Sequence, residues 1–87
     1  MYYYVYVLEN QQDKSLYIGF TRDLVRRVKE HNEGRGGRTT ALKKDWKCIY
    51  FEGYICEKDA IGREKFLKGG SGRKYLDKQL THYYCLD

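Results

Sequence analysis

The sequence predicts an α/β (α+β) fold: a small three-stranded antiparallel sheet flanked by helices, in the order ββαβαα. Three observations carry this. Two short runs of β-formers, "YYYVYVLEN" and "LYIGF", stand on either side of the polar stretch "NQQDKS", the pattern of an antiparallel hairpin. A third run, "WKCIYFEGY", is apolar enough for a covered strand. The segments between and after these runs carry helical periodicity, capping residues and glycine stops. At 87 residues the chain has room for one hydrophobic core, so residues 1–87 are expected to form a single domain.

In the first strand, side chains alternate between faces, so Tyr2, Tyr4 and Tyr6 share one. In the second, Tyr17 and Gly19 share a face, and Gly19 leaves space beside Tyr17 for another group to approach the backbone. Thr21 or Asp23 can cap a helix from Leu24 to Asn32, with Gly34 as its stop. Its apolar stripe is Leu24, Val25 and Val28. Arg27 and His31, spaced i, i+4, stand together beside that stripe. "GRGGRTTALKKDW" reads as a basic loop before the third strand. A second helix is expected from Lys58 to Lys68, ending at Gly69-Gly70, and Ser71 then caps a last helix from Gly72 to His82.

Composition narrows the class. Charged residues make up 33% and hydrophobic residues 41%, which fits a soluble globular domain and not a disordered one. No run approaches the roughly 18 apolar residues of a membrane span, and the N-terminal run lacks the basic and small-residue regions of a secretory leader. Three cysteines, Cys48, Cys56 and Cys85, form no C-x-x-C pair. That argues against a disulfide framework or a zinc site and for a reducing, cytoplasmic location. The net charge of +5 is unevenly placed: residues 21–44 hold eight basic and three acidic side chains. A positive segment beside a nearly neutral sheet suits either a solvated helix face or a polyanion-binding face. Fourteen aromatics, ten of them Tyr, favour the second, since rings stack on bases.

One residue breaks the amphipathic rule. Ala60, Ile61 and Leu67 mark the apolar face of the second helix, and Glu64 lies on that same face. An ionised carboxylate there is costly unless paired or bound to a cation. It is either a partner for Lys68 at i+4 or a metal ligand or acid–base group.

Together these residues resemble the GIY-YIG nuclease superfamily, specifically its small single-domain bacterial and phage-like members. Tyr4-Val5-Tyr6 stands where the family has its first motif, and Tyr17-Ile18-Gly19 is the second motif verbatim. Arg27 followed four residues later by His31 matches the family's helix, and "DAIGREKFLK" resembles the later helix whose Glu binds metal, which is Glu64 here. The resemblance covers essentially the whole chain. Two departures stand out: Tyr4 replaces the glycine of the first motif, and no Asn occurs beyond Asn32 to fill the place of the Asn that many members carry after the Glu helix.

The resemblance implies a metal-dependent endonuclease that hydrolyses DNA phosphodiester bonds. That chemistry needs a deprotonated water in line with the leaving oxygen and positive charge where negative charge builds. Tyr6 would be the general base, with His31 accepting its proton or orienting it, Tyr17 orienting phosphate and nucleophile, and Arg27 clamping phosphate oxygens. Glu64 would hold Mg²⁺ or Mn²⁺ as the sole protein carboxylate, with waters completing the shell. Ionising an ordinary tyrosine near neutrality costs on the order of 4 kcal/mol, a cost that Arg27 and the cation would lower. Arg35, Arg38, Lys43, Lys44, Lys68, Arg73, Lys74 and Lys78 are candidates for backbone phosphate contacts, which position nucleic acid without reading its sequence. Low sequence specificity follows from the lack of a separate recognition domain. Branched or single-stranded DNA is a possible substrate, RNA is not excluded, and a role in DNA repair or recombination, with a protein partner supplying specificity, fits such a domain.

Two other classes compete. A catalytically weak nucleic-acid-binding module could retain the same fold, and a basic protein-interaction domain could carry the same charge. The intact set Tyr6, Tyr17, Arg27, His31 and Glu64 favours the enzyme, because a binder has no need of a carboxylate on an apolar face.

Overall fold

The computed structural model describes residues 1–37, 40 and 42–86. Its order is β1 (Tyr3–Asn10), β2 (Leu16–Thr21), α1 (Leu24–Asn32), β3 (Trp46–Tyr54), α2 (Glu57–Lys68), α3 (Gly70–Gln79) and α4 (Thr81–Tyr84). The sheet is antiparallel with β1 central, in the order β2-β1-β3. Being central, β1 is buried from Val5 to Asn10, and its alternation splits the interior in two. Val5 and Val7 pack with Ala60 and Leu67 of α2 and Leu76 of α3. Tyr6 and Leu8 face the other way and pack with Trp46, Leu24 and Val28. The helix α1 therefore covers one face and α2–α3 the other. No helix among the described residues is long and apolar enough to cross a membrane.

The predicted hairpin, α1 and β3 form where the sequence places them. Asp23 caps α1 by accepting from the Arg26 amide, and Thr21 accepts in turn from the Asp23 amide. Gly34 takes the left-handed conformation just past the helix, with φ 79°. Within α1 the inward stripe differs from the expected one. Val25 is 83% exposed while His31 is fully buried. The inward positions are thus Leu24, Val28 and His31, at i, i+4 and i+7, so the histidine lies inside the stripe and not beside it.

The C-terminal part also departs from expectation. The last helix does not run from Gly72 to His82 behind a Ser71 cap. It starts at Gly70 with Gly69 as its cap, stops at Gln79, and is followed by the one-turn α4. The cause is a close crossing of α2 and α3. A methyl group at position 72 would sit 2.2 Å from the Phe66 carbonyl oxygen and 2.4 Å from the Leu67 Cα. The turn is set by backbone contact, and Ser71 is simply in the first turn. The second helix begins one residue earlier than expected, at Glu57.

Most tyrosine hydroxyls outside the Tyr6 side serve structure. Glu52 of β3 receives Tyr50 and Tyr54 hydroxyls and a two-point pair from Arg63 of α2, at 2.9 Å for each contact. Arg63 also lies over the Tyr75 ring, 4.3 Å from its centre. Tyr83 donates to the buried Glu9 at 2.6 Å, fastening α4 to the sheet.

Candidate active site

Tyr6 points from the central strand toward α1, and Gly19 lies directly across from it on β2. A methyl at position 19 would stand 2.3 Å from the Tyr6 hydroxyl oxygen. The space expected at Gly19 is therefore filled by the Tyr6 ring, which crosses the neighbouring strand at the only residue that lets it pass. Its hydroxyl ends 2.8 Å from His31 Nε2.

His31 is held at both nitrogens. Its Nδ1 is 2.7 Å from the Thr40 hydroxyl, and the Thr40 carbonyl accepts from the Trp46 indole at 3.3 Å. Asn32 ties the end of α1 to β3 by exchanging two bonds with the Trp46 backbone, at 2.9 and 2.7 Å. The Tyr17 ring lies 4.8 Å from the imidazole and 6.3 Å from the Tyr6 ring, centre to centre. Arg27 donates to Glu30 at 3.1 Å and to the Gly36 carbonyl at 2.7 Å, and its guanidinium acts on the Tyr6 hydroxyl.

These surroundings fix protonation. Burial drives the His31 imidazole down to about 4, helped by the positive charge of Arg27 and opposed by Glu30. Burial also pushes Tyr6 up to about 12. Arg27 works against that rise, while Tyr17 and Glu64 add to it. The expected easing of Tyr6 ionisation by Arg27 is present but outweighed: burial wins. At neutral pH the pair is a phenol beside a neutral imidazole.

Glu64 is half-buried on α2 and pairs with Lys68, Oε2 to Nζ at 3.1 Å. Its carboxylate also acts electrostatically on Tyr6, so α2 contributes charge to the same site from the other side of the sheet. Among the described residues no three His, Cys, Asp or Glu side chains cluster as a metal cage. One carboxylate with a free second oxygen suits a hard divalent cation that keeps most of its waters, and does not suit zinc.

The basic candidates are scattered. Lys68 is the partner of Glu64, Arg35 pairs with Glu33, and Lys43 pairs with Asp13 at 2.7 Å. Lys44 is exposed. Arg73, Lys74 and Lys78 project from α3, on the sheet face opposite α1. Arg38 lies outside the described residues. Sequence reasoning missed Thr40 and Gly36. Thr40 is buried beside His31, and a methyl at position 36 would be 2.1 Å from His31 Nδ1. Gly36 and Thr40 lie against the imidazole, and no local pattern signals that.

Comparison with known proteins bears on this geometry. A family model described as the GIY-YIG catalytic domain matches residues 2–76. A UPF0213 protein of Haloquadratum walsbyi is 38% identical over 73 residues, covering 84% of this chain and 81% of that protein. A UPF0213 protein of Streptococcus pneumoniae is 42% identical over 65 residues, covering 75% of this chain and 65% of that protein. The solution NMR structure of a UPF0213 protein from Bacillus halodurans is 32% identical, covers 95% of this chain and 85% of that one, and superposes with a TM-score of 0.55.

Proposed function

The chain belongs to the GIY-YIG family, a nuclease superfamily, with UPF0213 proteins among its relatives, and from that premise we propose that it is a metal-dependent DNA endonuclease of low sequence specificity. The observation that supports this best is the buried contact between the Tyr6 hydroxyl and a neutral His31, 2.8 Å apart. A phenol whose proton must leave during the reaction needs a base within hydrogen-bond reach, and the neutral imidazole is one.

The proposed direction of proton flow assigns Thr40 as the acceptor at His31 Nδ1. In the proposed tautomer the Thr40 hydroxyl gives its proton to the Gly37 carbonyl, 3.5 Å away, and accepts from His31 Nδ1–H at 2.7 Å. Nδ1 then carries the imidazole proton and Nε2 is a bare lone pair facing Tyr6. Tyr6 donates to Nε2, and as its oxygen takes a proton from the attacking water its own proton passes to His31. Burial disfavours the charged form of both groups, so the resting pair is neutral. Transfer therefore accompanies water attack and does not precede it. Arg27 is placed to hold phosphate oxygens beside Tyr6, and Tyr17 to orient them. Glu64 would hold the divalent cation, which when bound supplies positive charge for the departing oxygen.

Supercoiled plasmid with Mg²⁺ or Mn²⁺ tests the proposal. Nicking by the wild-type protein, lost in EDTA and in Glu64→Ala, is the expected result. Plasmid left intact under both metals, or nicking undiminished in Glu64→Ala, contradicts it.

A further inference from the structure

A second concavity adjoins the site. It encloses about 380 Å³ between the end of β2 and the outer side of α1, lined by Phe20, Thr21, Arg22, Asp23, Arg26, Arg27 and Glu30. Arg22 and Arg26 are not among the phosphate contacts expected from the sequence, and Arg27 is expected there as the clamp of the active site. Their engagements differ in a telling way. Arg27 is committed to Glu30 and the Gly36 carbonyl. Arg26 reaches Glu30 only at 3.4 Å, with a side chain 74% exposed. Arg22 has no carboxylate within ion-pair distance among the described residues; it rests over the Tyr3 ring, 5.3 Å from the centre. The Asp23 carboxylate is turned into the helix, accepting from the Arg26 amide. The cleft thus presents two weakly engaged guanidinium groups, and its wall is shared with the active site through Arg27.

Resting on the nuclease reading, we propose that this cleft binds the phosphodiester next to the scissile one along the same DNA strand, with Arg22 and Arg26 as its ligands. Guanidinium forks suit non-bridging phosphate oxygens better than ammonium groups do. The cleft gives the strand a fixed entry, carrying one phosphate to Arg26 and Arg22 while its neighbour meets Arg27.

Binding of a fluorescein-labelled DNA duplex, measured in EDTA across a NaCl series in the Glu64→Ala background, tests the cleft apart from catalysis. Arg22→Gln with Arg26→Gln is expected to weaken binding at least about tenfold near 0.1 M salt and to reduce the salt slope by roughly two. The double Lys variant should retain the slope, and Lys58→Gln with Lys65→Gln, on exposed α2 positions, should change neither quantity. An unchanged slope and affinity in the glutamine pair overturns the proposal. So does an equal loss in the α2 control, or a loss seen with RNA of the same sequence but not with DNA. A plasmid that stays intact while the slope falls as expected removes the nuclease reading and leaves the cleft standing.

Discussion

At the scale of single residues, the site depends on a glycine and a histidine. Gly19→Ala puts a methyl 2.3 Å from the Tyr6 hydroxyl, so the ring or the strand must shift. We expect a loss of about 1–3 kcal/mol in chemical denaturation together with loss of cleavage. Wild-type stability in this variant would show that Tyr6 does not cross β2 there. His31 sets a pH signature. Its folded value of about 4 lies below an ordinary histidine near 6.5, so the unfolded chain binds the extra proton first as pH falls. Stability is full above that ordinary value and declines as pH drops toward 4, by about 3 kcal/mol. In His31→Gln that component of the decline should vanish when denaturant midpoints are compared between pH 7 and pH 4. The meeting of Tyr6, Tyr17, Arg27 and His31 was legible because they lie in short motifs at fixed spacing. The Thr40 contact was not, because it joins residues nine apart that meet only in the folded chain.

At the scale of elements, the sheet and first helix were readable from alternation, turn chemistry and caps. The division of the C-terminal helices was not, since it is decided by the contact of Gly72 with α2 and not by Ser71. Glu64 shows both sides of the same limit: its place on the apolar face was visible, and the structure shows its pair with Lys68, while its electrostatic reach to Tyr6 required the fold. The clasp between β3 and α2 is the sharpest stability prediction here. Arg63 and Glu52 are mostly buried, with side chains 23% and 16% exposed. Glu52→Ala strands Arg63 and two tyrosine hydroxyls, and should cost about 2–4 kcal/mol. Glu33→Ala, which removes the partner of the exposed Arg35, should stay within about 0.5 kcal/mol. Equal effects from the two in urea denaturation would rule out the clasp as a stabilising element.

At the scale of the whole molecule, β1 links two interiors with different tasks. Its Val5 and Val7 face seats α2 and α3, and its Tyr6 and Leu8 face builds the wall of the proposed site against α1. The same strand brings the Tyr6 phenol against the α1 imidazole, with the α2 carboxylate acting on it only through its charge. The most direct measurement is the single-turnover rate of DNA cleavage by Tyr6→Phe, which removes one oxygen and leaves the ring in place over Gly19. A fall of at least about 10², with folding and DNA affinity near wild type, is the predicted result. A rate within a few-fold of wild type would contradict the role of Tyr6 as the base.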